Sequence, residues 1–136
     1  MTRIRATAFV VKNDELLMIH RMNHGEEYWV LPGGGVEEGE SVEAAVLREL
    51  KEETSIEANL KEKVLDFVDG KGTPHQVFVC EYISGEAKLH EESEEANSAD
   101  KNQSYTPEWV KIDKLEHLTI YPKEEKDFLI SKFPSN

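Results

Sequence analysis

Hydrophobic and polar positions change period several times along the chain, and the changes predict its elements. Arg3 to Lys12 (RIRATAFVVK) is rich in β-formers and reads as a strand, with Asn13-Asp14 as a turn. Glu15 to Arg21 (ELLMIHR) reads as its hairpin partner, and Met22 to Glu27 as a polar loop. Tyr28-Trp29-Val30-Leu31 leads into Pro32-Gly33-Gly34-Gly35, a run expected to end any strand or helix in a sharp turn. Ser41 then offers an N-cap, and helical spacing runs from Val42 to Thr54. At about 100° per residue, Val42, Val46, Leu47, Leu50 and Thr54 share one apolar arc.

Beyond this helix, Glu57 to Asp69 mixes periods, but the alternation around Val64 to Val68 favours a strand. Gly70 to Pro74 is a loop, and His75 to Ile83 (HQVFVCEYI) is the clearest strand of the chain. Ser84 to Ser104 is a long, polar, acid-rich loop, of the kind that is usually functional or mobile. Glu108 to Ile112 reads as a short strand, Asp113 to Leu118 as a helical turn, and Lys123 to Lys132 as a last helix. Phe128 and Leu129 are expected to dock that helix on the core, and Trp109 to be a core residue. Strands on both sides of a mid-chain helix, with a terminal helix, predict a mixed β-sheet between helices. There is no internal repeat or linker, so one domain over residues 1–136 is expected.

The mid-chain helix carries acids where a helix tolerates them poorly. Glu49, Glu52 and Glu53 occupy an arc beside the apolar one, and Glu53 lies over the apolar arc itself. Glu49 and Glu53 form a like-charge pair one turn apart, and all three sit near the C-terminus, where the helix dipole favours cations. Local rules broken together mark a candidate functional site. A hard divalent cation resolves the conflict, because Mg²⁺ or Mn²⁺ takes carboxylate oxygens and keeps water and phosphate as its other ligands. The competing reading is a solvated Glu-rich surface.

Composition narrows the choice of partners. The net charge of −12 argues against nucleic-acid polymers and anionic membranes. No apolar run approaches the length of a membrane span, and the short N-terminal apolar run, followed at once by acids, reads as a strand instead of a signal segment. The cytoplasm is the expected compartment. The single cysteine, Cys80, excludes an internal disulfide and is expected to be a buried thiol. A phosphate substrate would need its charge offset locally, which metal ions would do. The five histidines show no ligand spacing.

From Gly34 the chain runs through five residues to Glu40, then seven more to Arg48-Glu49-Leu50-Lys51-Glu52-Glu53-Thr54-Ser55-Ile56. This resembles the signature of the Nudix hydrolases, including the MutT-like pyrophosphohydrolases, with Ser55 in place of the usual Gly. A Gly there would cap the helix in the left-handed conformation, so Ser55 must adopt it at a cost of about 1 kcal/mol or end the helix differently. The resemblance implies an α/β/α sandwich and hydrolysis of a diphosphate linkage in a nucleoside diphosphate derivative. It implies that Glu49, Glu52 and Glu53, with the Gly33 or Gly34 carbonyl, hold about one to three Mg²⁺ or Mn²⁺ ions. Arg48 would orient the acids and Glu40 would pair with Arg48. Glu49, or one of Glu91, Glu92, Glu94 and Glu95 in the long loop, would take a proton from the attacking water or add a ligand. Arg5 and Arg21 are candidates for phosphate, and Tyr28, Trp29 and Tyr105 for stacking on a base. Trp29 is also expected to pack against the motif. A homodimer is plausible by the same resemblance. The alternative is a catalytically silent Nudix-fold module that binds or senses a nucleotide.

Overall fold

The computed structural model describes residues 3–88 and 103–133. Strands β1 (Arg5–Lys12) and β2 (Glu15–Asn23) are joined at Asn13-Asp14. Both turn residues have positive φ, 50° and 64°, the pair a two-residue hairpin requires. Only Val11 and Lys12 pair with β2 before the two strands part. Two short strands fill the gap. Strand β3 (Glu26–Val30) pairs with the far end of β2, and β4 (Gly33–Gly35) pairs with Arg5 to Thr7 at the start of β1.

The outer strands follow from the remaining sequence. Strand β5 (Glu57–Val68) is antiparallel to β6 (Pro74–Ser84), which runs parallel to β1 from Arg5 to Val11. That parallel pair needs a long crossover, and helix α1 (Val42–Thr54) supplies part of it. Strand β7 (Gln103–Lys111) covers the opposite edge of β2 along its whole length.

Alternation along the strands sorts the core into two layers. Ala6, Ala8 and Val10 of β1 and Phe78 and Cys80 of β6 meet Ala45, Val46 and Leu50 of α1. Phe9, Leu16, Met18 and Val77 point the other way, towards Leu115 of a 3-10 turn (Ile112–His117) and Leu129 of helix α2 (Lys123–Lys132). The result is the expected mixed sheet between helices. Cys80 is buried as expected, and burial pushes its thiol up to about 11, which keeps it unreactive at neutral pH.

Four expectations change. The Gly33–Gly35 run is a strand, because missing side chains let it lie against β1. A Cβ at Gly33 would fall 2.5 Å from the Ala6 carbonyl. The Met22 to Glu27 loop shrinks to a hairpin turn at His24-Gly25 between β2 and β3. The strand at Glu108 to Ile112 begins five residues earlier, at Gln103. Trp29 stacks on His20 at 4.1 Å between ring centroids instead of on the motif. Glu91, Glu92, Glu94 and Glu95 lie outside the described residues.

Candidate active site

Helix α1 begins where Ser41 Oγ accepts a hydrogen bond from the Ala44 N–H at 3.1 Å. It ends at Ser55, which adopts the left-handed conformation with φ 63°, so the first of the two alternatives holds. Ser55 Oγ donates to the Lys88 carbonyl at 2.9 Å, which offsets part of the backbone cost. Between these caps the helix presents Val46 and Leu50 to the sheet and turns Glu49 and Glu53 towards β4.

Arg48 organises the acids. Its Nε and Nη2 donate to the two oxygens of Glu40 at 2.7 and 2.9 Å, a two-pronged pair that joins the helix to the turn before it. Nη2 also donates to the Gly35 carbonyl at 3.1 Å, and Nη1 to Glu49 Oε1 at 2.8 Å. Glu52 is held more loosely, at 3.3 and 3.4 Å from Nη1. The guanidinium's hydrogen bonds hold Glu40 down to about 2, with help from the Glu37 N–H. The same bond to Glu40, with Glu49, raises Arg48 further above its usual value. Arg48 is therefore permanently charged, and Glu40 is ionised at neutral pH.

Glu53 is different in kind. It is 1% exposed, its Oε1 accepts from the Gly33 N–H at 2.8 Å, and among the described residues its Oε2 has no hydrogen-bond partner. Burial pushes its carboxyl up to about 8, against the opposing pull of Arg5, the Gly33 N–H and the Tyr105 hydroxyl. A buried, half-satisfied carboxylate costs stability unless a cation or proton meets it. Gly34 completes the surface, since a Cβ there would fall within 2.5 Å of the Glu49 carboxylate carbon and oxygens. Only glycine leaves that space.

The donor set suits a hard cation: carboxylates of Glu49, Glu52 and Glu53, and backbone oxygens of a glycine strand. Among the described residues no three acidic, His or Cys side chains already converge on one point. Glu52 is half exposed and its contacts to Arg48 are long, so it can turn without breaking a strong bond.

Beside this site opens a cleft of about 720 Å³, lined by Arg5, Arg21, Tyr28 and Tyr105 among others. Arg5 and Tyr105 also act on Glu53, which joins the cleft to the carboxylates. The Arg21 guanidinium lies over the Tyr105 and Tyr28 rings at 4.5 and 5.5 Å. The three residues singled out for substrate, Arg5, Arg21 and Tyr28, thus share one cavity. Burial, with the Glu53 charge, pushes the Tyr105 hydroxyl up, so it stays protonated.

A second cluster in the cleft was not singled out from the sequence. His75, 3% exposed, stands at the start of β6 with Nε2 2.8 Å from Asp69 Oδ2 and Nδ1 3.6 Å from Glu125 Oε2. The His75 contact holds Asp69 down to about 2, helped by the Thr73 N–H. Asp69, His75 and Glu125 come from three separate elements, so no spacing pattern links them.

Comparison with known proteins places the chain in a family. An ADP-ribose pyrophosphatase of Methanocaldococcus jannaschii is 33% identical over 105 residues, covering 73% of this chain and 62% of that protein. Nudix hydrolase 5 of Arabidopsis thaliana is 31% identical over 132 residues, 90% of this chain and 40% of that one. The chain thus spans less than two thirds of these relatives' length. In fold it is similar to a solved MutT, described for Aliivibrio salmonicida and Vibrio cholerae. The TM-score is 0.73 at 24% identity, over 98% of this chain and all of that one. A model of the NUDIX domain matches residues 1–130, and the chain whose α1 carries Glu40-tethered Arg48 beside three acids belongs to the NUDIX family.

Proposed function

We propose that the protein is a divalent-cation-dependent pyrophosphohydrolase that cleaves a diphosphate linkage in a small nucleoside diphosphate derivative. The carrying observation is Glu53: a buried carboxylate with one oxygen unpartnered among the described residues, beside Glu49 and Glu52 and acted on by Arg5 and Tyr105 of the cleft. Glu49, Glu52, Glu53 and the Gly34 or Gly33 carbonyl would hold Mg²⁺ or Mn²⁺. Once bound, the cation neutralises phosphate oxygens and acidifies the attacking water.

The chain's own residues do the rest. Arg48, fixed by Glu40, holds Glu49 in place so that it can accept the water's proton. The Gly33 N–H fixes one oxygen of Glu53 and leaves the other for the cation. Arg5 and Arg21 offset the negative charge of the phosphates, and Tyr28 gives a ring of the substrate a face to stack on. The resulting products are a nucleoside monophosphate, or its equivalent, and the other phosphorylated half. The relative named as an ADP-ribose pyrophosphatase supports that substrate type. Residues 1–136 act as one domain in this reading, in the cytoplasm. No helix among the described residues is long and apolar enough to cross a membrane.

The test is a panel of nucleoside triphosphates, dinucleoside polyphosphates, nucleotide sugars and ADP-ribose with Mg²⁺ or Mn²⁺, with the products identified. Hydrolysis at a diphosphate linkage is expected. Tight nucleotide binding without turnover would replace this reading with that of a sensor module.

A further inference from the structure

The cleft has two walls that come from distant parts of the chain. One is the loop after β5, where Gly70 and Lys71 face the cavity. The other is the first turn of α2, with Lys123 and Glu124. His75 stands between them at the start of β6.

Each wall is rooted on one carboxylate. Asp69 Oδ1 accepts from the Lys71 and Thr73 N–H groups at 2.8 and 3.0 Å, which fixes the shape of the loop. Its other oxygen meets His75 Nε2. Glu125, 2% exposed, sits in the first turn of α2, and its Oε2 faces His75 Nδ1. Among the described residues neither of those two atoms has a hydrogen-bond partner. The imidazole is stacked on Phe67 of β5 with centroids 4.6 Å apart, which favours this ring orientation.

A neutral imidazole can donate to only one of two flanking carboxylates, and would set a bare nitrogen against the other. An imidazolium donates to Asp69 and turns a charged Nδ1–H towards Glu125 Oε2, an ion pair at 3.6 Å. Burying a carboxylate as deeply as Glu125 without a partner is costly, so the geometry calls for the second proton.

We propose that His75 is a positioning residue whose imidazolium ties the Asp69–Thr73 loop to the first turn of α2 and so sets the width of the cleft. That this width matters to a substrate rests on the function proposed above. The groups around His75 agree with it. Asp69 and Glu125 both favour the charged ring, and their joint pull raises its pKa despite burial. Arg5, its neighbour on β1, opposes them, and Lys71, Lys123 and Glu124 lie at the walls themselves. Loss of the proton at alkaline pH therefore loosens the tie, while the carboxylates of α1 stay in place.

Two variants and two readouts test this. With the metal-loaded enzyme, on whichever panel compound the wild type hydrolyses fastest, His75→Gln is expected to raise KM about tenfold and leave kcat within about twofold. The wild-type KM should rise at alkaline pH, and Glu125→Gln, which keeps the side-chain shape, should move that rise to lower pH. Amide exchange at Lys71, Thr73 and Glu125 should quicken in both variants. Unchanged KM and an unmoved alkaline limb in both would overturn the proposal. If the wild type hydrolyses nothing, the proposed activity fails instead, and the exchange arm decides alone: unaltered protection of both walls overturns the tie. If His75→Gln does not fold, Glu125→Gln carries the test.

Discussion

At the scale of single residues the site is a set of charges whose surroundings give them different states. Glu53 and Glu40 are both glutamates of one signature, yet burial pushes the first up to about 8 and Arg48 holds the second down to about 2. Their contributions to stability therefore have opposite signs with pH. Without added cation, Glu53 keeps its proton in the folded chain after the unfolded chain has lost it. Stability should then fall as pH rises from about 4.5 to about 8, by a few kcal/mol in order of magnitude, and level off above. Glu40 contributes stability above its unfolded value that is lost as pH falls from about 4.5 towards 2. Thermal melts in chelator across this range check both, and Glu53→Gln should flatten the neutral slope. Glycines 33 and 34 separate in the same way. Gly34→Ala places a methyl on the Glu49 carboxylate and should cost at least tenfold in rate with less than about 1 kcal/mol of stability. Gly33→Ala strikes the backbone of Ala6 and Thr7 and should cost about 1–3 kcal/mol, seen in urea unfolding.

At the scale of elements, what the sequence made legible depended on whether a local pattern existed. Helix α1 was readable to its ends, because Ser41 is an N-cap and Val46 and Leu50 repeat at helical spacing. The same arithmetic places Glu53 over the apolar arc, and the structure shows it 1% exposed. Strand β4 was not readable, because three glycines have no periodicity and their pairing with Arg5 to Thr7 is a long-range event. Strand β3 was half hidden for a similar reason, since its Glu26 and Glu27 are exposed on both faces and read as loop. The C-cap of α1 gives a further check. Ser55 pays a left-handed backbone cost but gains a bond to the Lys88 carbonyl, so Ser55→Gly should stabilise by no more than about 0.5 kcal/mol. A β-branched residue fits that conformation worst, and Ser55→Val should destabilise by about 2 kcal/mol in the same unfolding experiment.

At the scale of the whole molecule, the fold joins two groups of side chains that the sequence keeps apart. The acids of α1 sit in one signature, and a reader of the chain finds them together. The cleft draws on β1, β2, β3, β6, β7 and α2, so its floor of Asp69, His75 and Glu125 exists only once the strands are paired. Arg5, Arg21 and Tyr28 stood out as chemistry, but only the topology places them in one cavity. With a net charge of −12, the cation of the proposed function would relieve repulsion across the molecule as well as at the site. Binding to the folded state alone raises the melting temperature, so millimolar Mn²⁺ or Mg²⁺ should do so for the wild type and far less for Glu53→Gln.

The central claim is that the α1 carboxylates and the cleft together hydrolyse a diphosphate linkage. Product-identified turnover of the substrate panel with Mg²⁺ or Mn²⁺, wild type beside Glu53→Gln, tests it most directly. The account predicts a nucleoside monophosphate, or its equivalent, and a second phosphorylated product from the wild type, with the variant slower by orders of magnitude. No cleavage of any panel member with either cation, or a Glu53→Gln enzyme as fast as the wild type, would contradict it.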